Sequence, residues 1–316
     1  MLNNKKAIFI DIDGTLYDSS IKDFRPTTIE ILKQLANNPD YDLYIASGRS
    51  LSTIGSVKKY FNNFKGFVLT NGEEIYIDDK KIYQGKISST ILERFVKYCN
   101  KNNYPIVLIC EDHLYYNQLN QEMKTNFEEY IKVEIEPLQD MNILSTISVS
   151  QLWLFVSNEE NEKIRHDFPE LEVINWGNYG ADVLEKNHTK GEGVTRVINL
   201  MGYKLENTFA IGDSDNDVVM FTRVGTSICM GNGTTKAKNA AKIVGYDISD
   251  EGLMKNIKEY ILKEKMNWLL NSFYSSFLKT IGREFSGTLN GSFLLIRSTN
   301  KIPFKWSYSC WNTTAG

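Results

Sequence analysis

The chain has 316 residues, of which 42% are hydrophobic and 24% are charged, and its formal net charge is −3. This length predicts about two domains, and the slight acidity argues against a nucleic-acid partner, because phosphate contacts need a basic surface. No run approaches the roughly 18 apolar residues of a membrane span, and no signal-peptide cleavage site precedes the first strand pattern. We therefore expect a cytoplasmic protein without a membrane partner; the oligomeric state is open.

The spacing of the four cysteines argues against both a zinc site and a disulfide framework. They are far apart and form no C-x-x-C pair, so neither a zinc site nor a disulfide framework is indicated. We expect reduced and mostly buried thiols at Cys99, Cys110, Cys229 and Cys310.

Five short apolar runs each end in a polar, Gly-containing turn, and most lead into a helical pattern. This alternation is typical of β-α units around a parallel sheet. The sequence thus predicts an α/β fold with a doubly wound parallel sheet, and ligands bind beyond the carboxyl ends of such strands. The predicted strands are residues 7–10, 43–46, 66–69, 208–211 and 226–230.

The middle of the chain, residues 80–186, has a different sequence pattern. Its helix and strand patterns are not followed by comparable turns of acids and Gly, which indicates a second α+β domain inserted between the third and fourth core strands. The predicted organisation is a core of residues 1–79 and 187–263, an insert of residues 80–186, and an atypical extension of residues 264–316. The extension has six Lys+Arg against two Asp+Glu, and we favour an addition without a role in the chemistry over a partner-binding tail.

Acidic residues follow two of the predicted strands. Residues two apart in an extended segment point the same way, so Asp11 and Asp13 can face one small target. The segment GDSDND adds Asp213 and Asp217 at another strand end. Crowded carboxylates repel unless a cation lies between them, and an all-oxygen ligand set favours Mg²⁺ over a caged Ca²⁺. GDSDND also lacks the Gly and the distal Glu of an EF-hand loop.

Two further segments are suited to a phosphoryl group. Ser47, Gly48 and Arg49 supply a hydroxyl, a backbone N–H and a cation after the second strand, although a plain turn is the alternative for this segment alone. Lys190 lies at a predicted helix start, where an ammonium and the helix dipole both favour an anion. A lone lysine there is usually solvated surface.

Taken in order, the segments DIDGTL, SGR, KG and GDSDND resemble the four signature motifs of the haloacid dehalogenase (HAD) superfamily. The resemblance covers about residues 5–262, and four motifs at successive strand ends are a strong signal. The insert, TNG at residues 70–72 and GNGTTKAKNAA near the end of the core are similar to the Cof-type phosphatases. The resemblance implies a HAD-like Rossmannoid core with an inserted α+β cap.

The resemblance also implies roles for the motif residues. Asp11 matches the nucleophile that forms an aspartyl-phosphate, and Asp13 matches the acid/base that protonates the leaving alcohol. An acid in this second place is found in the superfamily's phosphatases and mutases, not in its dehalogenases or ATPases. The implied phosphate-binding residues are Ser47, Gly48, Lys190 and Asn216. The implied Mg²⁺ ligands are Asp11, Asp13 through its backbone carbonyl, Asp213 and Asp217.

The sequence therefore predicts a Mg²⁺-dependent phosphatase of small phosphorylated metabolites, with sugar phosphates favoured over nucleotide, flavin or pyridoxal phosphates. A phosphomutase of the same superfamily and, less favoured, a binding protein without turnover are the alternatives. Arg49 is the candidate substrate contact, together with the segments YNQLNQ and NWGNYGADV of the insert. Lys186 and His188 depart from the usual third motif, and no role follows for them.

Overall fold

The computed structural model describes residues 4–111, 113–119, 123, 135–176 and 178–263. The extension predicted at 264–316, which includes Cys310, lies outside the described residues. The other three cysteines are free and buried, as predicted.

The large sheet has eight strands, six parallel and two antiparallel at one edge. All five predicted strands belong to it. In spatial order, the strands are Ile243–Val244, Thr226–Cys229, Thr208–Gly212, Lys6–Ile10, Tyr41–Ala46, Gly66–Leu69, Glu74–Ile77 and Lys80–Gln84.

Both faces of this sheet are buried, which explains why its strands read as continuous apolar runs. In the central strand, Ile8 and Ile10 point into one apolar cluster with Leu32 of the Pro26–Ala36 helix. Phe9 and Ala7 point into a second cluster on the opposite face. The parallel sheet with helices on both faces confirms the α/β doubly wound prediction.

The register brings the polar turns together at one edge. Ile10, the last residue of the central strand, pairs with Ile211 on one side and with Ile45 on the other. Asp11 therefore emerges between the segments that follow Gly212 and Ala46. The edge that carries Asp11 also carries the GDSDND and SGR segments.

The sequence reading missed the two antiparallel edge strands. Glu74–Ile77 and Lys80–Gln84 form a hairpin whose turn residues, Asp78 and Asp79, have φ of 49° and 61°. Positive φ at both central residues is typical of a two-residue hairpin turn. Residue 80 thus lies inside a hairpin of the large sheet, and we propose that the inserted domain begins after Gln84.

A second sheet of six strands forms the inserted domain, with all neighbours antiparallel except one parallel edge pair. The helices Ser89–Asn102 and Asn158–Asp167 contribute Leu92, Phe95 and Ile164 to the apolar cluster on one face of it. The strands in spatial order are Ile135–Pro137, Leu114–Tyr116, Ile106–Cys110, Val149–Leu154, Ala181–Glu185 and Leu171–Asn175.

All but one of the other helical elements belong to the core. The α-helices there are Pro26–Ala36, Lys190–Met201, Val218–Phe221, Thr235–Ala240 and Gly252–Asn256. Short 3₁₀ and π segments are Gly55–Asn63, Thr70–Gly72, Leu205–Asn207, Asp215–Asp217, Ile248–Asp250 and Ile257–Ile261, and the insert adds Met141–Ser145. A small hairpin pairs Tyr17–Asp18 with Asp23–Phe24. Within the described part of the chain, every helix is too short or too polar to cross a membrane.

Candidate active site

Asp11 and Lys190 form the centre of the site. Asp11 follows the central strand and is buried, and its Oδ1 accepts a hydrogen bond of 2.7 Å from Lys190 Nζ. Lys190 is the first residue of its helix, as predicted, and Thr189 caps that helix by accepting from the Glu192 N–H. The Lys190 side chain is fully buried, and its Nζ also lies 2.7 Å from Asp217 Oδ1. A buried ammonium needs such partners, because its desolvation is otherwise costly.

The GDSDND segment is folded around Asp217. Oδ2 of Asp217 accepts the backbone N–H groups of Asp213 and Ser214, each at 2.9 Å. Asp217 thus closes the turn with one oxygen and contacts Lys190 with the other. Asp213 is held separately by Thr15, whose hydroxyl donates to its Oδ1 at 3.1 Å.

Three of the four predicted metal ligands have converging carboxylates. Oxygens of Asp11, Asp213 and Asp217 all lie within 4.8 Å of one another. Gly14 leaves room for this approach, because a Cβ at its φ of 81° would lie 2.2 Å from Asp213 Oδ2. The donor set fits Mg²⁺, because it is made only of oxygens and because one ammonium cannot neutralise three carboxylates. Asp13 contributes no side-chain oxygen to this group.

Burial and like charge act together on these carboxyls. Burial, supported by the neighbouring aspartates, raises the pKa of Asp11 well above its usual range, against the opposing effect of Lys190. Burial and the Asp217 charge raise the pKa of Asp213 to about 7. Although burial alone would lower it, the pKa of Lys190 is raised above its usual value by Asp11 and Asp217. The site therefore favours an additional cation.

Arg49 holds Asp13 at the mouth of the site. Its Nη2 and Nε donate to the two carboxylate oxygens of Asp13 at 2.5 and 2.8 Å. The guanidinium also lies over the Tyr17 ring, 5.4 Å from its centroid. The Asp13 side chain is half exposed, so it can reach solvent or a bound molecule. The proposed substrate contact of Arg49 thus coexists with an observed contact to Asp13.

Ser47 and Gly48 lie directly beyond the second strand. The buried Ser47 hydroxyl accepts the Arg49 backbone N–H at 3.2 Å, which shapes the turn. Asn71 of the TNG segment donates its backbone N–H to Ser47 O at 3.0 Å. Asn216 completes the group, with its Nδ2 donating to Asn71 Oδ1 at 3.2 Å. All the predicted phosphate-binding residues therefore lie near the carboxyl ends of the parallel strands.

A cavity of about 510 Å³ connects these residues to the inserted domain. From the core it is lined by the candidate catalytic pair and the SGR segment, and from the insert by Trp153, Trp176, Tyr179 and Asp182. Three of these four belong to the predicted segment NWGNYGADV. In the other predicted segment, YNQLNQ, Asn117 instead bonds the backbone of Ile106 and Tyr104 within its own domain.

Sequence reasoning missed the polar contacts between the two domains. Asn71 of the core donates to Asp182 and Gln151 of the insert, and burial raises the pKa of Asp182 to about 7. The TNG segment was a signal for Asn71, but it pointed to no partner. His188, to which no role had been assigned, contacts the buried Glu73 at 2.7 Å.

The comparisons agree with this geometry. The family model for haloacid dehalogenase-like hydrolases matches residues 8–257. The chain is 28% identical over 256 residues to YkrA of Bacillus subtilis, covering 81% of this chain and 98% of that protein. It is 24% identical over 260 residues to the 5-amino-6-(5-phospho-D-ribitylamino)uracil phosphatase YcsE of Bacillus subtilis, with 81% and 96% covered.

A solved structure extends the likeness to three dimensions. The HAD subclass IIB sugar phosphatase BT4131 superposes with a TM-score of 0.75 at 28% identity, covering 81% of this chain and 99% of that chain. The chain belongs to the haloacid dehalogenase-like hydrolase family. Within that superfamily it is a Cof-type phosphatase.

Proposed function

We propose that the protein is a Mg²⁺-dependent phosphatase of small phosphorylated metabolites that acts through an aspartyl-phosphate on Asp11. The observation that carries this proposal is the buried Asp11 carboxylate, bonded by Lys190 at 2.7 Å and flanked by two further aspartates at the end of the central strand. A carboxylate held rigidly at a strand end can attack phosphorus without moving its backbone.

In the first step, a carboxylate oxygen of Asp11 forms a bond to phosphorus, and the bond from phosphorus to the alcohol oxygen breaks. Asp13, protonated on an oxygen released from Arg49, gives its proton to the leaving alcohol. In the second step, water attacks phosphorus and the Asp11–phosphorus bond breaks, while Asp13 takes the proton of the water. Phosphate leaves, and both aspartates return to their initial states.

The residues around Asp11 bind and orient the phosphoryl group. Lys190 carries a positive charge beside Asp11, and Ser47 and Gly48 offer a hydroxyl and a backbone N–H at the adjacent strand end. Asn216 adds an amide at the cavity wall. Phosphoryl transfer depends mainly on positioning and charge stabilisation, which these groups can supply.

Asp11, Asp213, Asp217 and the backbone carbonyl of Asp13 would hold Mg²⁺. Bound there, the ion supplies positive charge that offsets both the crowded carboxylates and the phosphoryl oxygens. Thr15 and the backbone of the GDSDND turn keep Asp213 and Asp217 oriented for this purpose.

The leaving group would occupy the cavity between the domains. Trp153, Trp176 and Tyr179 offer ring faces on which a sugar or another ring can pack. We favour sugar phosphates, in line with the name of the sugar phosphatase BT4131. Phosphorylated ribitylaminouracils and pyridoxal phosphate come next, since relatives carry the names 5-amino-6-(5-phospho-D-ribitylamino)uracil phosphatase and pyridoxal phosphate phosphatase.

The test is phosphate release from p-nitrophenyl phosphate, followed by a panel of sugar, pyridoxal, flavin and nucleotide phosphates. We expect turnover in Mg²⁺ and none in EDTA. The Asp11→Asn variant should fold normally and lose turnover by more than about a thousandfold. A folded, Mg²⁺-loaded wild-type protein that hydrolyses none of these esters would overturn the proposal.

A further inference from the structure

Asp182 lies where the inserted domain meets the core. It belongs to the strand Ala181–Glu185 and pairs directly with Trp153 of the neighbouring strand. Paired residues share a face of a sheet, and so do residues two apart, so Gln151 points the same way. This face of the insert lies opposite the phosphate-binding edge of the core.

Three side chains from the two domains form a closed, buried triangle of hydrogen bonds. Asn71 Nδ2 donates to Asp182 Oδ2 at 2.8 Å and to Gln151 Oε1 at 2.9 Å. Gln151 Nε2 donates to Asp182 Oδ1 at 2.8 Å. All three residues are at most 5% exposed, so each bond is made without competition from water.

Asn71 extends this triangle into the phosphate-binding residues. Its φ of 50° is left-handed, which turns the side chain toward the insert while its backbone N–H bonds Ser47 O. Its Oδ1 accepts from Asn216, and the preceding residue, Thr70, donates its N–H to Arg49 O at 2.8 Å. Asn71 therefore bonds the insert and the GDSDND turn with its side chain and the SGR turn with its backbone.

Gly48 brings the SGR turn against the same triangle. A Cβ at residue 48 would lie 3.2 Å from both Asn71 Nδ2 and Asp182 Oδ2. The Gly48 carbonyl also accepts from Gln151 Nε2 at 3.5 Å. The insert and the SGR turn, which we propose to bind phosphate, are thus in direct contact.

We propose that Asp182 is a positioning residue, which acts through Asn71 to align Asn216 and the SGR turn when the inserted domain is seated on the core. This inference rests on the proposed phosphatase function. The phosphoryl site is then complete only in the closed protein, so that enclosure of the substrate and alignment for catalysis occur together.

A pair of conservative substitutions tests this role. In Asp182→Asn, two donor groups face each other whichever way the introduced amide and the Gln151 amide are turned. In Gln151→Glu, two carboxylates face each other. The double variant Asp182→Asn/Gln151→Glu moves the carboxylate across the pair and allows all three bonds of the triangle again. It loses only the longer bond of residue 151 to the Gly48 carbonyl. Glu159→Gln, at an exposed acid on the Asn158–Asp167 helix, is the matched control.

The affinity for inorganic phosphate in Mg²⁺, measured by calorimetry, is the readout that does not need turnover. We expect each single variant to bind phosphate about 10- to 100-fold more weakly, the range given by one unsatisfied buried group. In each single variant, kcat should fall by a similar factor and KM should change less. The double variant should exceed the single variants at least about tenfold in phosphate affinity and in kcat. Glu159→Gln should match the wild type.

A phosphate affinity of Asp182→Asn within about threefold of the wild-type value would overturn the proposal. A double variant that binds phosphate no more tightly than the single variants would also overturn it. If the variants show the predicted pattern of phosphate affinities but the wild type hydrolyses no ester, the phosphatase function is overturned and the role of Asp182 in aligning the phosphate site stands.

Discussion

Arg49 makes a bidentate pair with Asp13, in which two guanidinium nitrogens donate to the two carboxylate oxygens at 2.5 and 2.8 Å. A bidentate pair fixes the direction of a carboxylate as well as its position. Asp13 is the residue to which we assign proton transfer, so its orientation relative to the leaving oxygen controls the rate. Arg49 can therefore influence the chemistry without touching the substrate.

Replacement of Arg49 separates orientation of Asp13 from substrate binding. A lysine offers a single point of charge and cannot match both oxygens. If Arg49 mainly orients Asp13, Arg49→Lys lowers kcat by about tenfold, which is part of the roughly 10²- to 10⁴-fold that a positioned general acid contributes, with little change in KM. Arg223→Lys, at a half-exposed pair with Glu192, is the control and should leave both constants unchanged. A large rise in KM at constant kcat would assign Arg49 to the substrate instead.

Removal of the Lys190 ammonium should cost stability. Lys190 is fully buried between Asp11 and Asp217, and its loss leaves two buried carboxylates without their cation. We expect Lys190→Met to lower the free energy of unfolding by about 3–5 kcal/mol in EDTA. Urea denaturation measures this. A loss below about 1 kcal/mol would mean that the carboxylates are satisfied without Lys190.

Metal removal should be visible as a change in stability. Binding to the folded state alone stabilises it by about 2.7 kcal/mol at a ligand concentration of one hundred times Kd. We expect Mg²⁺ to raise the melting temperature of the wild type and not that of Asp213→Asn. Asp215→Asn is the matched control, because Asp215 bonds Thr234 and lies outside the converging carboxylates. An equal Mg²⁺ response in all three proteins would place the ion elsewhere.

Glu73 should make stability depend on pH. Burial raises its pKa from 4.5 to about 7, although His188 acts in the opposite direction. Between these pH values the folded state keeps a proton that the unfolded state has released, so the free energy of unfolding falls as the pH rises. The contribution of Glu73, at most about 3 kcal/mol, is fully present below pH 4.5 and lost above pH 7.

The comparison of wild type with Glu73→Gln isolates this contribution. Urea denaturation at a series of pH values from 4.5 to 8 should show a shallower fall for the variant, because glutamine does not titrate. Parallel curves for the two proteins would show that the buried Glu73 keeps its ordinary pKa.

The sequence predicted the polar residues at the sheet edge well, because the patterns that indicate them lie within short segments of the chain. Each apolar run ends in its own polar turn, so Asp11 and Ser47 could be assigned to strand ends without knowledge of the packing. The same reading missed the strand Lys80–Gln84, because its exposed, lysine-rich residues lack an apolar run. It also placed residue 80 in the insert rather than in the core sheet.

The contacts between the domains were beyond the reach of the sequence. Asn71 and Asp182 are 111 residues apart, and their bond depends on how the insert sits on the core. No periodicity encodes such a contact. His188 likewise acquired a partner only through folding, since Glu73 lies 115 residues earlier in the chain.

The most direct test of the central claim is chemical trapping of the acyl phosphate. Borohydride added during turnover reduces an aspartyl-phosphate to homoserine, which mass spectrometry of the peptide around residue 11 detects. We predict substrate-dependent homoserine at position 11 and at no other aspartate. An actively turning-over enzyme that yields no homoserine there, or yields it at another aspartate, would contradict the role of Asp11 as the nucleophile.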